Sequence, residues 1–230
     1  MISKDTPFID IHTHRTSGPF LSFGIHPWWF DDDAYQADSD LVLLENLLKA
    51  HRIAAIGEVG IDRAHHDTIP QQLKVFEQQI LLSEQYQKPL IIHNVRGTDE
   101  ILRFHKRHQP KQAWIIHGFN GTEAEVRQLT DRGLFLSVGE SLFYPNRKIH
   151  ESIKSIPLDD LFLETDVSEK SIQEVYDKAA ERLNLPLEVL KERIFANFVR
   201  LKLEVWNSGM TEPGCLSETL ALRNLDRAMC

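Results

Sequence analysis

Two histidines one residue apart end an apolar run near the start of the chain, in the segment FIDIHTH at residues 8–14. Successive side chains of an extended strand point to opposite faces, so residues i and i+2 share a face. His12 and His14 are therefore expected to point the same way. Two neutral imidazoles aimed at one point make a poor apolar core but half of a metal site. Alone, the pattern also fits a strand end that leads into solvent.

Residues able to bind metal also follow other apolar segments. They are Glu58 and Asp62 in AAIGEVGID, His93 in PLIIH, His117 in AWIIH, and Glu164 and Asp166 in LFLETD. In a parallel α/β barrel the carboxyl ends of the strands meet at one face, where active sites lie. So many separate coincidences are improbable, and together they predict a site for two divalent cations.

The elements that must position these residues alternate along the chain. The predicted strands are nearly continuous apolar runs at residues 8–12, 20–25, 53–58, 89–93, 113–117, 134–138 and 161–164. Amphipathic stretches at 41–50 and 73–87 and a closing stretch at 187–203 predict helices. This alternation indicates an α/β class with parallel strands covered on both faces.

Composition narrows the classes of function. The 230-residue chain has a net charge of −8, which counts against coating of duplex DNA but not against a nuclease that holds phosphate through metals. Its cysteines, Cys215 and Cys230, supply no disulfide framework and fit a reducing compartment. The sequence shows neither a signal pattern nor an apolar run of the ~20 residues that span a bilayer. We therefore expect a cytoplasmic protein without a membrane partner.

The motifs occur in the order found in a known family. D-x-H-x-H, G-x-H-P, G-E-x-G-x-D, P-x-I-I-H, I-I-H-x-F-x-G and L-E-T-D resemble the TatD family of metal-dependent hydrolases, within the amidohydrolase-like superfamily. The segment from Gln72 to Ile80 is similar to that family's Q-x-x-x-F-x-x-Q-L helix, and the segment from Ile194 to Asn197 to its closing helix. The resemblance spans about residues 8–203.

The resemblance implies a TIM-like (β/α) barrel and hydrolysis of phosphodiesters by water activated by two divalent metal ions (Zn, Mn or Mg), commonly as a deoxyribonuclease. The implied metal ligands are His12, His14 and Asp166 for one ion and His93 and His117 for the other, with Glu58 shared between the two. Glu58 and Asp166 are the implied catalytic residues, and Asp166 would accept a proton from the attacking water.

Residues outside the ligand set are candidates for substrate contacts or for support of the ligands. His26 is predicted to donate to a substrate phosphate, or else to pack against Trp28. Arg96 is a candidate phosphate clamp, although it lies one residue later than the arginine of the family's H-S-R. Asp62 is expected to orient a histidine ligand through its free ring nitrogen. Asp10 either does the same or forms a hydrogen bond within its strand.

One departure concerns the barrel wall. Only residues 15–19 separate H-x-H from the G-x-H-P strand, too few for a parallel crossover, so a distorted barrel that lacks one βα unit is expected. The hydrolase domain is predicted to cover residues 1–207, and residues 208–230 to form a tail that is a short helix or disordered.

The first prediction for function is a hydrolase of phosphoesters, with single-stranded DNA or nucleic-acid ends as expected substrates. Two alternatives remain. One is an amide or cyclic-ester hydrolase, because similar metal sites in the superfamily act on carbon centres. The other is a non-catalytic barrel scaffold that binds a partner chain. The oligomeric state is left open.

Overall fold

The computed structural model describes residues 6–14 and 22–203, which form two compact units. Unit 1 contains residues 6–14 and 115–203, and unit 2 contains residues 22–114. The strands in this part of the chain are β1 (Ser22–Phe23), β2 (Ala55–Asp62), β3 (Leu90–Val95), β4 (Trp114–Ile116), β5 (Phe135–Val138) and β6 (Leu161–Leu163). Its α-helices are α1 (Asp38–Lys49), α2 (Ile69–Tyr86), α3 (Thr98–His108), α4 (Glu123–Thr130), α5 (Ile149–Ser152), α6 (Ile172–Leu183) and α7 (Leu187–Arg200).

In unit 2, strands β1, β2 and β3 pair side by side in parallel. The pairing of β2 with β3 contains an irregularity, because Ile56 lies opposite Leu90 whereas Val59 lies opposite Ile92. Strand β2 thus uses one residue more than β3 over this interval. Such a bulge re-aims the side chains that it contains. Glu58 lies in the bulge and therefore within β2, not at its end as the sequence predicted.

Helix α2 fixes the backbone of unit 2 at two places through buried glutamines. Gln79 Oε1 accepts the N–H of Ile25 at 2.7 Å, and its Nε2 donates to the Ile25 carbonyl at 3.3 Å. Gln72 Oε1 accepts the N–H of Asp62 at 2.8 Å, and its Nε2 donates to the Asp62 carbonyl at 3.0 Å. Each glutamine satisfies both backbone groups of one residue, and buried groups of this kind are costly to leave unpaired. The Q-x-x-x-F-x-x-Q segment thus anchors the residue before His26 and the end of β2.

In unit 1, Ile115 and Ile116 of β4 pair with β5, and β5 pairs with β6, both in parallel. The segment at residues 6–14 runs beside β6. The N–H of Ile11 donates to the Leu163 carbonyl at 3.0 Å, and the N–H of Asp166 donates to the His12 carbonyl at 2.9 Å. The predicted strand at 8–12 is therefore paired with β6, although it is not assigned as a regular strand.

Two helices of unit 1 hold this arrangement in place. The hydroxyl of Tyr176 on α6 accepts the N–H of Ile9 and donates to the Ile9 carbonyl, each at 3.0 Å. On α7, Asn197 Nδ2 donates to the carbonyls of Leu158 and Leu161, at 2.7 and 3.0 Å, just before and at the start of β6. Helix α6 begins with a capping box, which satisfies free N–H groups of its first turn.

The predicted α/β class is confirmed, with differences at element ends. Of the described residues 22–25 in the predicted strand, Ser22 and Phe23 form β1. Strands β2 and β3 continue past Glu58 and His93, and β6 ends at Leu163, one residue before Glu164. Helices α1, α2 and α7 lie where helices were predicted, and α2 begins earlier, at Ile69, because a proline is favourable in a first turn.

Three predictions fall outside the described residues. Residues 15–21 and 204–230 are not described, so the missing βα unit, the domain boundary after residue 207 and the state of the tail at 208–230 stay predictions. Within the described ranges, no helix combines the length and the apolar character needed to cross a bilayer.

Candidate metal-binding site

In unit 2, the bulge of β2 directs Glu58 toward two histidines. Glu58 Oε1 lies 2.8 Å from His93 Nδ1 and 3.1 Å from His26 Nε2. One ligand atom from each of these residues lies within 4.8 Å of the others, a spacing that fits a common cation. We call His26, Glu58, Asp62 and His93 the unit 2 cluster.

His93 faces a carboxylate at each of its ring nitrogens. Its Nε2 lies 2.9 Å from Asp62 Oδ2, and its Nδ1 lies 2.8 Å from Glu58 Oε1. A neutral imidazole has one N–H and one lone pair, so it satisfies one of these carboxylates and opposes the other. A further proton, on the ring or on Glu58, or a bound cation is therefore needed between His93 Nδ1 and Glu58 Oε1. If Nε2–H is donated to Asp62, Nδ1 is the nitrogen free to bind metal.

His26 has the opposite arrangement. Its Nδ1 accepts the backbone N–H of Trp28 at 3.1 Å, so in the neutral ring the proton sits on Nε2. That nitrogen points at Glu58 Oε1. A metal ligand needs an unprotonated nitrogen, so His26 is placed as a hydrogen-bond donor to the carboxylate, although its position also fits the group of possible ligands.

Asp62 is itself held by several donors. Its Oδ2 accepts Trp28 Nε1–H at 2.7 Å, and its Oδ1 accepts the N–H of Ala64 at 2.8 Å. Burial alone would raise the pKa of Asp62, but the hydrogen bonds from His93 and Trp28 outweigh it and bring the pKa to about 2. Asp62 is therefore a carboxylate at neutral pH and orients His93, as the sequence predicted for a residue behind a ligand.

In unit 1, the H-x-H pair converges on a carboxylate from the end of β6. Asp166 Oδ1 lies 3.3 Å from His14 Nε2 and 3.6 Å from His12 Nε2. One ligand atom from each of these residues lies within 4.8 Å of the others. Burial would raise the pKa of Asp166, but the two histidines hold it well below its usual range. Asp166 therefore offers a carboxylate to a cation at neutral pH.

Two further residues lie beside this group, His117 and Glu164. We call the five residues the unit 1 cluster: His12, His14, His117, Glu164 and Asp166. The ring of His117 lies 4.6 Å from that of His12, and its Nδ1 lies 3.6 Å from Glu164 Oε1. Glu164 is 1% exposed. Its Oε1 accepts the N–H of Gly118, whereas its Oε2 has no hydrogen-bond partner among the described residues.

The Asp10 carboxylate forms hydrogen bonds with Thr165 of unit 1. It accepts the N–H and the hydroxyl of Thr165, at 3.0 and 2.7 Å. The second of the two sequence-based alternatives for Asp10, hydrogen bonding within the strand pair, therefore describes what it does. This contact fixes the peptide that immediately precedes Asp166.

Both clusters fit divalent cations by the chemistry of their donors. Imidazole nitrogens mixed with carboxylate oxygens are the ligands of Zn²⁺ and Mn²⁺ sites. In unit 2, His93 Nδ1 and Glu58 Oε1 lie 2.8 Å apart and can both bind one cation when the ring proton is on Nε2. In unit 1, the buried Oε2 of Glu164 is a further oxygen without a hydrogen-bond partner among the described residues, and Oε1 of the same carboxyl lies 3.6 Å from His117 Nδ1.

Comparison with known proteins decides the family. The model of the family described as "TatD related DNase" matches residues 9–202. The chain belongs to this family. An uncharacterized metal-dependent hydrolase of Haemophilus influenzae is 33% identical over 151 residues, which cover 62% of this chain and 56% of that protein. A 3′-5′ ssDNA/RNA exonuclease TatD of Klebsiella pneumoniae is 26% identical over 174 residues, covering 74% and 65%.

The crystal structure of YjjV, a TatD homologue from Escherichia coli K12, superposes with a TM-score of 0.71 at 24% identity, covering 78% of this chain and 75% of that one. The match confirms the predicted TIM-like α/β fold class. The chain spans little more than half the length of several curated TatD relatives, 56%, 57% and 58% for three of them.

The ligands predicted from the family resemblance lie in both clusters. His12, His14, His117 and Asp166 are together in unit 1, and Glu58 and His93 are together in unit 2. The pairing of His93 with His117 on one ion and the sharing of Glu58 stay predictions. Arg96 lies one residue beyond β3, exposed and with φ at +55°, and its role as a phosphate clamp also stays a prediction.

Sequence reasoning missed the roles of two aromatic residues in this TatD protein. Trp28 donates to Asp62, and Tyr176 holds the backbone of Ile9. The only signal for Trp28 was its position directly after the G-x-H-P motif. Nothing in the sequence connects Tyr176 with a residue 167 positions away.

Proposed function

We propose that the protein is a metal-dependent phosphodiesterase that cleaves single-stranded nucleic acid. The observation that carries this proposal is the convergence of His93 and Glu58 at a spacing that a common cation fits, with Asp62 on the other ring nitrogen of His93. The names of the relatives as metal-dependent hydrolases and as a 3′-5′ ssDNA/RNA exonuclease support the proposed reaction and substrate.

The proposed ligands are His12, His14 and Asp166 for one ion and Glu58 and His93 for a second, with His117 as a further ligand. Divalent ions at these positions would stabilise the charge that develops on the phosphoryl and leaving oxygens and would acidify water. Zn²⁺, Mn²⁺ and Mg²⁺ all remain candidates.

The protein residues would divide the remaining tasks. Asp62 keeps a proton on His93 Nε2 and so leaves Nδ1 for the metal. His26 Nε2–H lies 3.1 Å from Glu58 Oε1 and is the proposed contact for a phosphate oxygen, which would replace Glu58 as its acceptor once a cation holds that carboxylate. The low pKa of Asp166 suits a ligand better than a base, since an efficient base has a pKa near the working pH. We therefore assign Asp166 first as a ligand, with proton transfer as its second proposed role.

Metal analysis paired with an activity assay tests this proposal. The purified protein is assayed on bis-p-nitrophenyl phosphate and on a single-stranded oligonucleotide, before chelation, after chelation and after restoration of Mn²⁺. We expect activity that disappears on chelation and returns with metal. Cleavage of lactones or amides without cleavage of phosphodiesters would favour the carbon-centre alternative, and loaded protein inactive on every substrate would favour the scaffold alternative.

A further inference from the structure

Trp28 combines two properties that rarely occur together beside a candidate active site. As a residue it is 37% exposed, although most large apolar side chains of unit 2 are buried. Its position is nevertheless fixed, because Nε1–H donates to the buried Asp62 at 2.7 Å and its backbone N–H donates to His26 Nδ1 at 3.1 Å.

The ring of Trp28 lies among the imidazoles of the unit 2 cluster and its surroundings. It meets His26 edge to face at 4.8 Å and His93 at 5.7 Å between ring centres, and it is tilted by 37° to His65 at 5.6 Å. Asp62 and these histidines contact part of the ring, and Trp28 as a residue is still 37% exposed. This geometry places a rigid, partly open aromatic surface 5.7 Å from the ring of the proposed metal ligand His93.

We propose that the exposed face of Trp28 is a stacking surface for one nucleobase of the single-stranded substrate. The inference rests on the proposed function and names a residue that distinguishes nucleic acids from other phosphodiesters. Base stacking on aromatic side chains is tolerant of sequence and strengthens binding of single strands without reading base edges. A ring already held by Asp62 loses little conformational freedom when a base settles on it.

The charges near Trp28 favour a base over a phosphate at this position. Asp31, Asp32 and Asp33 follow it in the chain and are all exposed. Asp31 pairs with His65, but Asp32 and Asp33 add negative charge that repels a phosphate backbone, whereas a neutral base carries no charge for them to repel. The contribution of Trp28 is therefore expected to change little with salt, unlike that of a phosphate contact.

The test compares two substrates of equal charge. The metal-loaded protein is assayed on an octamer of thymidylate and on an octamer with the same phosphates and no bases. The measured quantity is the ratio of the two kcat/KM values. For the wild type we expect a ratio of about 5 to 100, the range for one stacked base.

Two variants separate stacking from the hydrogen bond to Asp62. Trp28→Phe keeps an aromatic face and loses the Nε1–H donor, and Trp28→Leu loses both. The ratio should fall at least fivefold in W28L and stay within about threefold of wild type in W28F. Tyr144→Leu removes an exposed ring from unit 1 and should leave the ratio unchanged.

The possible results separate failure of the stacking role from failure of the proposed function. A protein that cleaves the thymidylate octamer but keeps its base preference in W28L contradicts the stacking role alone. An equal fall in W28L and Y144L contradicts it as well, since the loss would not be specific to Trp28. If the wild type cleaves neither octamer, both the stacking role and the proposed function are wrong.

Discussion

The two histidine clusters are positioned in different ways. In unit 2, His93 is held by a chain of side-chain hydrogen bonds that runs through Asp62 to Trp28, with Gln72 holding the backbone of Asp62. In unit 1, His12 and His14 lie on a segment positioned through backbone pairing with β6 and through the hydroxyl of Tyr176.

This difference indicates how each cluster is expected to fail. A ligand oriented by side chains is sensitive to single polar substitutions behind it. A ligand oriented by its backbone is sensitive to changes that release the segment as a whole. Substitutions behind His93 should therefore change metal affinity with little loss of stability, whereas substitutions behind His12 and His14 should lower both.

The largest effect is expected for Glu58→Gln. It removes the charge that faces His93 Nδ1, and the metal's contribution of several kcal/mol corresponds to a fall of about 10²- to 10³-fold in kcat/KM on bis-p-nitrophenyl phosphate. Glu45→Gln, which changes an exposed glutamate paired with Lys49, is the matched control. Turnover within twofold of wild type with metal still bound would remove Glu58 from the mechanism.

Asp62→Asn tests the hydrogen-bonded side chains behind His93 in unit 2. Loss of this carboxylate is expected to weaken metal binding about 10- to 100-fold, the usual effect of removing such a partner. Competition with a fluorescent chelator measures this affinity, and circular dichroism checks the fold. Asp67→Asn is the control, because Asp67 pairs with His66 at the surface. An affinity equal to that of wild type would mean that Asp62 does not orient the ligand.

Tyr176→Phe tests the backbone anchor in unit 1. The substitution keeps the ring but leaves the N–H and the carbonyl of Ile9 without the hydroxyl, at a cost of about 1–3 kcal/mol. Thermal denaturation should show a Tm lower by about 3–10 °C, and metal affinity should fall severalfold because the H-x-H segment is less fixed. Tyr144→Phe, with an exposed hydroxyl, should change neither quantity. A lower Tm with full metal affinity would mean that the Tyr176 hydroxyl stabilises the fold but does not position the metal ligands.

Gln79→Leu removes a backbone anchor in unit 2, as Tyr176→Phe does in unit 1. It should change metal affinity less than any of the other substitutions. It removes both hydrogen bonds to Ile25 and should lower the Tm by a similar amount. Because Ile25 precedes His26, which is placed as a donor, metal affinity should stay within about twofold. Gln71→Leu, at an exposed position of the same helix, is the control. A tenfold loss of metal affinity in this variant would identify His26 as a ligand.

The sequence predicted which side chains are candidate ligands, but not the contacts that hold them in place. Histidines and carboxylates rarely end several apolar runs of one chain by chance, and the order of the motifs indicated the family. Glu58 shows the limit of this reasoning. Its position within β2 depends on a bulge, and a bulge follows from pairing between strands rather than from the local pattern.

The residues that hold the candidate ligands could not be predicted from the sequence for a similar reason. The hydroxyl of Tyr176 and the indole of Trp28 act through contacts over 167 and 34 positions of sequence. Neither lies in a pattern with a chemical meaning of its own. Gln72 and Gln79 were marked only through the family resemblance, and the structure supplies the physical reason, two backbone groups satisfied by each amide.

Metal stoichiometry tests the central claim most directly, namely that each cluster binds a divalent ion. Wild type, His14→Ala, His93→Ala and the surface control His66→Ala are dialysed against Mn²⁺, and bound metal is measured by mass spectrometry. We expect about two ions per chain for wild type and H66A, and one for each of H14A and H93A. A wild type that binds no metal, or H14A and H93A proteins that bind as much as wild type, would contradict it.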